Sequence, residues 1–174
     1  MKRLTFSDWG GTFGNRVVDR RTGEPKTDWE WTPNVVTNEG LNKALNVFLS
    51  THAKITTWYV GLKNTTHAES SATYATPLFT ESTNYSEATR QAWTEDGSTA
   101  QSIDNSTSVA SFTMNTTDTI DGAFLVGGGT AASTKGDTAG GGTLFAVSNF
   151  ASAKSLSSGD TLEVTYTFTA ADAT

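Results

Sequence analysis

"TLEVTYTFTA", residues 161–170, is the stretch that decides the fold of this chain. Successive side chains of a β-strand point to opposite faces of the sheet, so strict alternation marks a strand with one face in a core. In this stretch the apolar set is Leu162, Val164, Tyr166 and Phe168, and the polar set is Glu163, Thr165 and Thr167. The preceding "SSGD" has the composition of a turn. The stretch therefore predicts a half-buried antiparallel strand.

The composition extends this interpretation to the whole chain. Its 174 residues include 49 Ser and Thr and 16 Gly, while charged residues make up only 17%. Threonine favours pleated surfaces, and Gly and Ser favour turns. Cysteine is absent, which excludes disulfides and thiolate chemistry. We predict a mainly β protein, an antiparallel, jelly-roll-like β-sandwich with one helix.

Further strands are expected wherever short apolar runs lie between turn signals. The predicted strands are 55–63, 89–96, 98–104, 108–115, 119–128 and 142–150. The fourth and fifth are expected to pair through the turn "TTD". Two glycine triplets, 127–129 and 140–142, bracket a loop that is predicted to be mobile, either in solvent or against a partner.

Residues 37–50 form the one predicted helix. Thr37 or Asn38 is the expected N-cap, and Glu39 suits the positive end of the helix dipole. One face is apolar, formed by Leu41, Ala44, Leu45, Phe48 and Leu49. Because such a stripe normally packs on a core, the helix is predicted to cover an end or an edge of the sheet.

Residues 1–34 differ from the predicted body, residues 35–174. They are rich in aromatic residues, Gly and Pro without a sustained period, and they carry a charge of +1 (six basic, five acidic residues) against −7 (six basic, thirteen acidic) for the body. Residues 16–31 could form a hairpin around "TGEP". We interpret 1–34 as an N-terminal arm that either folds back on its own sheet or reaches over neighbouring subunits, and we expect the body to fold without residues 1–27. The predicted partner-binding residues are Phe6, Trp9, Phe13, Arg16, Arg20, Arg21, Trp29 and Trp31.

Little in the chain suggests catalysis. Neither His52 nor His67 has a spacing that favours zinc, and no nucleotide-binding or nucleophile motif occurs. Two readings stay open: a glycosidase, if Glu81, Glu87 and Glu95 approach one another, and a sugar-binding protein that stacks sugars on its tryptophans. We predict no enzymatic activity, no cofactor and no metal. An acidic body disfavours nucleic acid, and no apolar run is long enough to span a bilayer.

Five segments, taken in order, resemble a family of small virion structural proteins of tailed bacteriophages. They are "WTPNVVTNEGLNKALNVFL", "ITTWYVGL", "YSEATRQAW", "IDGAFLV" and "GGTLFAVSNFASAKSLSSGDTLEVTYTF". The resemblance covers about residues 30–170 and rests on fold signatures, none of which is chemical.

The resemblance implies a non-enzymatic virion protein present in many copies as a homotrimer. The expected role is head decoration: the protein would bind the major capsid protein on the capsid exterior and stabilise the shell. One alternative is a tail-fibre or receptor-binding component. Another is a carbohydrate-active protein from outside the virion.

Overall fold

The computed structural model describes residues 8–171, which form two antiparallel sheets and one helix. This confirms the predicted mainly β sandwich. The elements, in chain order, are β1 (Asp8–Val18), β2 (Glu30–Pro33), β3 (Val35–Val36), α1 (Asn38–Leu49), β4 (Trp58–Lys63), β5 (Glu81–Ser82), β6 (Gln91–Trp93), β7 (Ser102–Ile103), β8 (Ala110–Thr113), β9 (Asp118–Gly127), β10 (Thr143–Leu156) and β11 (Thr161–Ala171).

The five-stranded sheet has the order β2-β1-β11, with β7 and β8 both pairing with the far edge of β11. The six-stranded sheet has the order β3-β10-β9-β4, with β5 and β6 both pairing with β4. The predicted pairing of 108–115 with 119–128 is therefore wrong. The chain crosses from one sheet to the other between β8 and β9, so these neighbours in sequence pair with different strands.

The main core lies between the two sheets, and β11 contributes to it as its alternation predicts. Leu162, Val164 and Tyr166 are fully buried there, and Phe168 packs at its margin. They meet apolar side chains of β4, β9 and β10 from the other sheet. A second apolar cluster, which includes Tyr74, Phe124 and Val147, joins the other face of the six-stranded sheet to the loops that cover it.

Two segments of the predicted arm, strands β1 and β2, belong to the five-stranded sheet. Strand β1 pairs with β11 along its whole length, from Asp8↔Ala171 to Val18↔Thr161, and β2 pairs with its other side. Phe13 is completely buried, with its ring centroid 4.5 Å from that of Tyr166. Of the two alternatives for the arm, these strands show packing on the chain's own sheet. A chain without residues 1–27 would lose an interior strand, and the pairing of β1 therefore argues against the expectation that the body folds alone.

Helix α1 begins as predicted, with Thr37 as its N-cap accepting a hydrogen bond from the Gly40 amide at 3.0 Å. The Glu39 carboxylate accepts hydrogen bonds from the backbone amides of Tyr74 (2.9 Å) and Leu144 (2.6 Å). Gly40 lies against the backbone of Phe145 and is the one buried residue of the helix. The first turn therefore holds the helix, and its later turns extend past the sheet with much of their apolar face uncovered.

Candidate partner-binding surfaces

A hairpin joins β1 to β2, as one interpretation of residues 16–31 predicts. The turn contains Gly23 at φ 70°, and the Gly23 amide donates to the Asp19 carbonyl at 2.9 Å. The Asp19 carboxylate accepts a hydrogen bond from the Arg21 amide at 2.7 Å, which lowers the pKa of Asp19. The Lys26 ammonium contacts Asp160 at 2.8 Å and ties the turn to the start of β11. The hairpin turn is therefore held by its own hydrogen bonds and by the ion pair between Lys26 and Asp160.

This hairpin presents an aromatic surface that we call the hairpin patch, formed by Arg16, Trp29 and Trp31. The two indole rings lie 6.0 Å apart, and the Arg16 guanidinium lies 4.7 Å from the centroid of Trp29. Arg16 also pairs with Glu163 of β11 at 2.5 Å. Trp31 covers Gly14, where a Cβ would lie 2.8 Å from its ring, and it remains 51% exposed. The absence of a side chain at position 14 lets the indole lie flat on the sheet.

A second apolar surface lies at the other end of β1. We call it the helix tip, formed by Leu45, Phe48 and Leu49, which are among the most exposed large apolar side chains of residues 8–171. Phe48 is 71% exposed and Leu49 82% exposed. The Trp9 ring meets Phe48 edge-on at 5.9 Å and Phe168 at 6.1 Å. Sequence analysis missed this surface, because the spacing of the helix stripe indicates a buried face equally well.

The structure brings together only three of the eight predicted partner-binding residues, those of the hairpin patch. Trp9 lies beside the helix tip, and Phe6 lies outside the described residues. Arg20 donates to the Ser158 carbonyl at 2.8 Å, whereas Arg21 is 80% exposed. The choice of Phe13 is wrong for the folded chain, because its ring belongs to the core and cannot reach a partner.

The loop between β9 and β10, which was predicted to be mobile, is tied down by a buried arginine. Arg90 donates to the carbonyls of Ala132 and Asp137, both at 2.9 Å. Its guanidinium also forms a bidentate ion pair with the Glu81 carboxylate, with N–O distances of 2.6 and 2.8 Å. Asp137 in turn accepts hydrogen bonds from the Gly140 amide and the Tyr74 hydroxyl, which lower its pKa. A cavity of about 340 Å³ adjoins these groups, yet its main charges already have partners, so their evident role is to fix the loop.

The three glutamates considered as an acid–base set have separate environments. Glu81 pairs with Arg90, Glu87 accepts a hydrogen bond from the Thr113 amide at 3.0 Å, and Glu95 is exposed. Residues 8–171 contain no group of three His, Cys, Asp or Glu side chains that could hold a metal ion. Over the same range, α1 is too short to cross a membrane.

Comparisons with protein-family models, with curated proteins and with solved structures found nothing that matches this chain.

Proposed function

We propose that this chain is a virion structural protein of a tailed bacteriophage, and that it decorates the head by binding the major capsid protein. The series of segments between residues 30 and 170 that resembles such virion proteins supports the class. The hairpin patch is the observation that best supports a role in binding the capsid protein. Tryptophan and arginine, with tyrosine, are enriched at the few positions that contribute most of the binding energy of protein interfaces.

The hairpin patch would bind as a preformed surface. Its residues lie on two paired strands, and Arg16 is held by Glu163 and stacked on Trp29. A surface that is already ordered loses less conformational entropy on binding than a loose arm would. Arg21, at the turn of the same hairpin, is 80% exposed beside Asp19 and would meet acidic groups of the shell. Capsid binding therefore does not require residues 8–33 to rearrange.

The helix tip would serve a different purpose, association of three copies of the chain. Its side chains are apolar and its exposed neighbours Asn42 and Asn46 are uncharged. Contiguous exposed apolar patches commonly mark interaction sites, and the charged groups beside this one, Lys43 and Lys54, line the groove next to Phe48. A trimer would present three hairpin patches to the shell, so each further contact would form at high effective concentration.

The first experiment locates the protein on the particle. Antibody–gold labelling of intact particles of the phage that encodes it should place gold densely over the head. Gold confined to the tail would overturn the decoration role and favour the tail-fibre alternative. Unlabelled particles that also lack the protein by mass spectrometry would overturn the virion assignment.

The second experiment tests the hairpin patch. A variant with both Trp29→Ala and Trp31→Ala should bind protein-depleted heads at least tenfold more weakly than the wild type in a co-sedimentation assay. Leu78→Ala is the matched control, because Leu78 is also an exposed apolar residue but lies outside the patch. Equal binding of the double variant and the wild type would show that the capsid contact lies elsewhere.

A further inference from the structure

Lys63 is a lysine with no solvent exposure, located at the end of β4. It lies opposite Gly122 of β9, and Gly122 lies opposite Asn149 of β10. Three adjacent strands therefore place Lys63 and Asn149 on the two sides of a glycine. A Cβ at position 122 would lie 2.8 Å from the Lys63 Cε, so the missing side chain leaves the space in which the two side chains meet.

The two side chains are in direct contact. The Lys63 Nζ donates to the Asn149 Oδ1 and to the Thr65 carbonyl, the latter at 2.6 Å. The Asn149 Nδ2 donates to the Thr66 carbonyl at 2.8 Å, which fixes the orientation of the amide. The segment after β4 thus folds over the pair and holds a side-chain amine against a side-chain amide.

The surroundings destabilise the ammonium form of Lys63 and so increase the fraction of neutral amine. Burial lowers the pKa of Lys63 to about 8, although attraction to the Asp121 carboxylate opposes the shift. Lys63 forms no ion pair among residues 8–171. A buried ammonium held only by neutral oxygen atoms is costly, and a neutral amine is a nucleophile.

We propose that Lys63 and Asn149 join in an intramolecular isopeptide bond. The neutral Nζ attacks the Asn149 Cγ, the Nζ–Cγ bond forms, and the Cγ–Nδ2 bond breaks. One proton passes from Nζ to Nδ2, which leaves as ammonia, so nothing is oxidised or reduced and no co-reactant is consumed. Asp121 is the acidic group whose charge acts on Lys63.

The bond would give the six-stranded sheet a covalent tie. It would link β4 to β10 across β9, in addition to the hydrogen bonds of those strands. It would also remove the buried charge, since an amide carries none. A covalent link between strands suits a protein that must resist mechanical unfolding. The inference itself rests on the contacts of Lys63 and does not depend on the phage assignment.

Intact mass spectrometry of the denatured full-length chain tests the proposal. The wild type should be lighter than its sequence mass by one molecule of ammonia, after allowance for removal of Met1. Lys63→Arg and Asn149→Ala should each have the full mass of their own sequences. Lys54→Arg is the matched control, because Lys54 is exposed, and it should keep the deficit. A wild-type chain at its full sequence mass would overturn the proposal.

A tryptic digest of the wild type separates the crosslink from cyclisation of an asparagine, which also releases ammonia. Trypsin does not cleave after a lysine whose amine is acylated. The expected product is a branched peptide that joins residues 55–90 to residues 136–154. Recovery of a free peptide ending at Lys63, together with a deficit confined to one linear peptide, would refute the bond. This measurement needs no variant and so does not depend on whether the variants fold.

Discussion

Replacing Phe13 by alanine tests whether β1 belongs to the folded core. The ring is fully buried and packs against Tyr166 at 4.5 Å between the sheets. Returning a buried aromatic side chain to water costs about 1.5–3 kcal/mol. The cavity left between two paired sheets raises the total to about 3–5 kcal/mol for Phe→Ala. Because a typical domain has about 5–15 kcal/mol of stability, this single change should remove a large part of the free energy of unfolding.

Urea denaturation followed by tryptophan fluorescence measures that loss, and calorimetry should show a fall in Tm of about 6–20 °C, at about 2–4 °C per kcal/mol. Leu78→Ala is the control, since Leu78 is an exposed apolar residue outside both proposed surfaces and its truncation should change stability by only about 0.5 kcal/mol. If Phe13→Ala is as stable as this control, β1 does not pack on β11, and residues 8–18 follow the other alternative for the arm, which reaches over neighbouring subunits.

Two further changes probe the elements that flank β1. Gly40→Ala should destabilise the protein, because a Cβ at position 40 would lie 2.6 Å from the Phe145 carbonyl oxygen. This steric cost should outweigh the gain in helix propensity of about 1 kcal/mol. Thermal unfolding measures the sign of the change, and a stabilised variant would contradict the packing of Gly40 on Phe145. Asp160 accepts a hydrogen bond from Lys26, which lowers the pKa of Asp160 in the folded chain below its unfolded value. The stabilisation that this carboxylate gives to the folded state is therefore fully present above the unfolded pKa of about 4, and it is lost as pH falls through the folded pKa. Asp160→Asn should therefore be less stable at pH 7 and lose less stability on acidification than the wild type, and parallel pH profiles would contradict this.

The parts of the fold that were predictable are those whose sequence pattern depends on local structure. Strand β11 alternates because one face meets the core and the other does not, and helix α1 starts with a capping residue whose side chain bonds within three residues. The boundaries of short strands were poorer: 89–96 was predicted, and only Gln91–Trp93 pairs. A strand of three residues is defined by its pairing with β4, and that pairing cannot be seen in the sequence of residues 89–96.

Strand β1 was missed because the information that makes it a strand lies in β11. Its inward positions include Gly11 and Asn15, which break the apolar alternation. Gly11 is required by its neighbours, since a Cβ there would lie 3.1 Å from the Tyr166 hydroxyl and 2.2 Å from the Thr167 carbonyl oxygen. Asn15 is buried and donates to the Glu30 carbonyl of β2 at 3.3 Å. A pattern that depends on which strand lies opposite cannot be read from β1 alone.

The same strand determines how the two proposed surfaces relate. Trp9 lies beside the helix tip and Arg16 belongs to the hairpin patch, and at about 3.3 Å per residue the seven steps between them span about 23 Å. Because β1 is an interior strand, the spacing is rigid, and a chain could bind another copy at one end and the capsid at the other without competition. Changes to the two surfaces should then be separable. Phe48→Asn with Leu49→Asn should dissociate the proposed trimer in sedimentation velocity yet leave the binding of a single hairpin patch intact. Loss of both functions together would mean that one surface serves both.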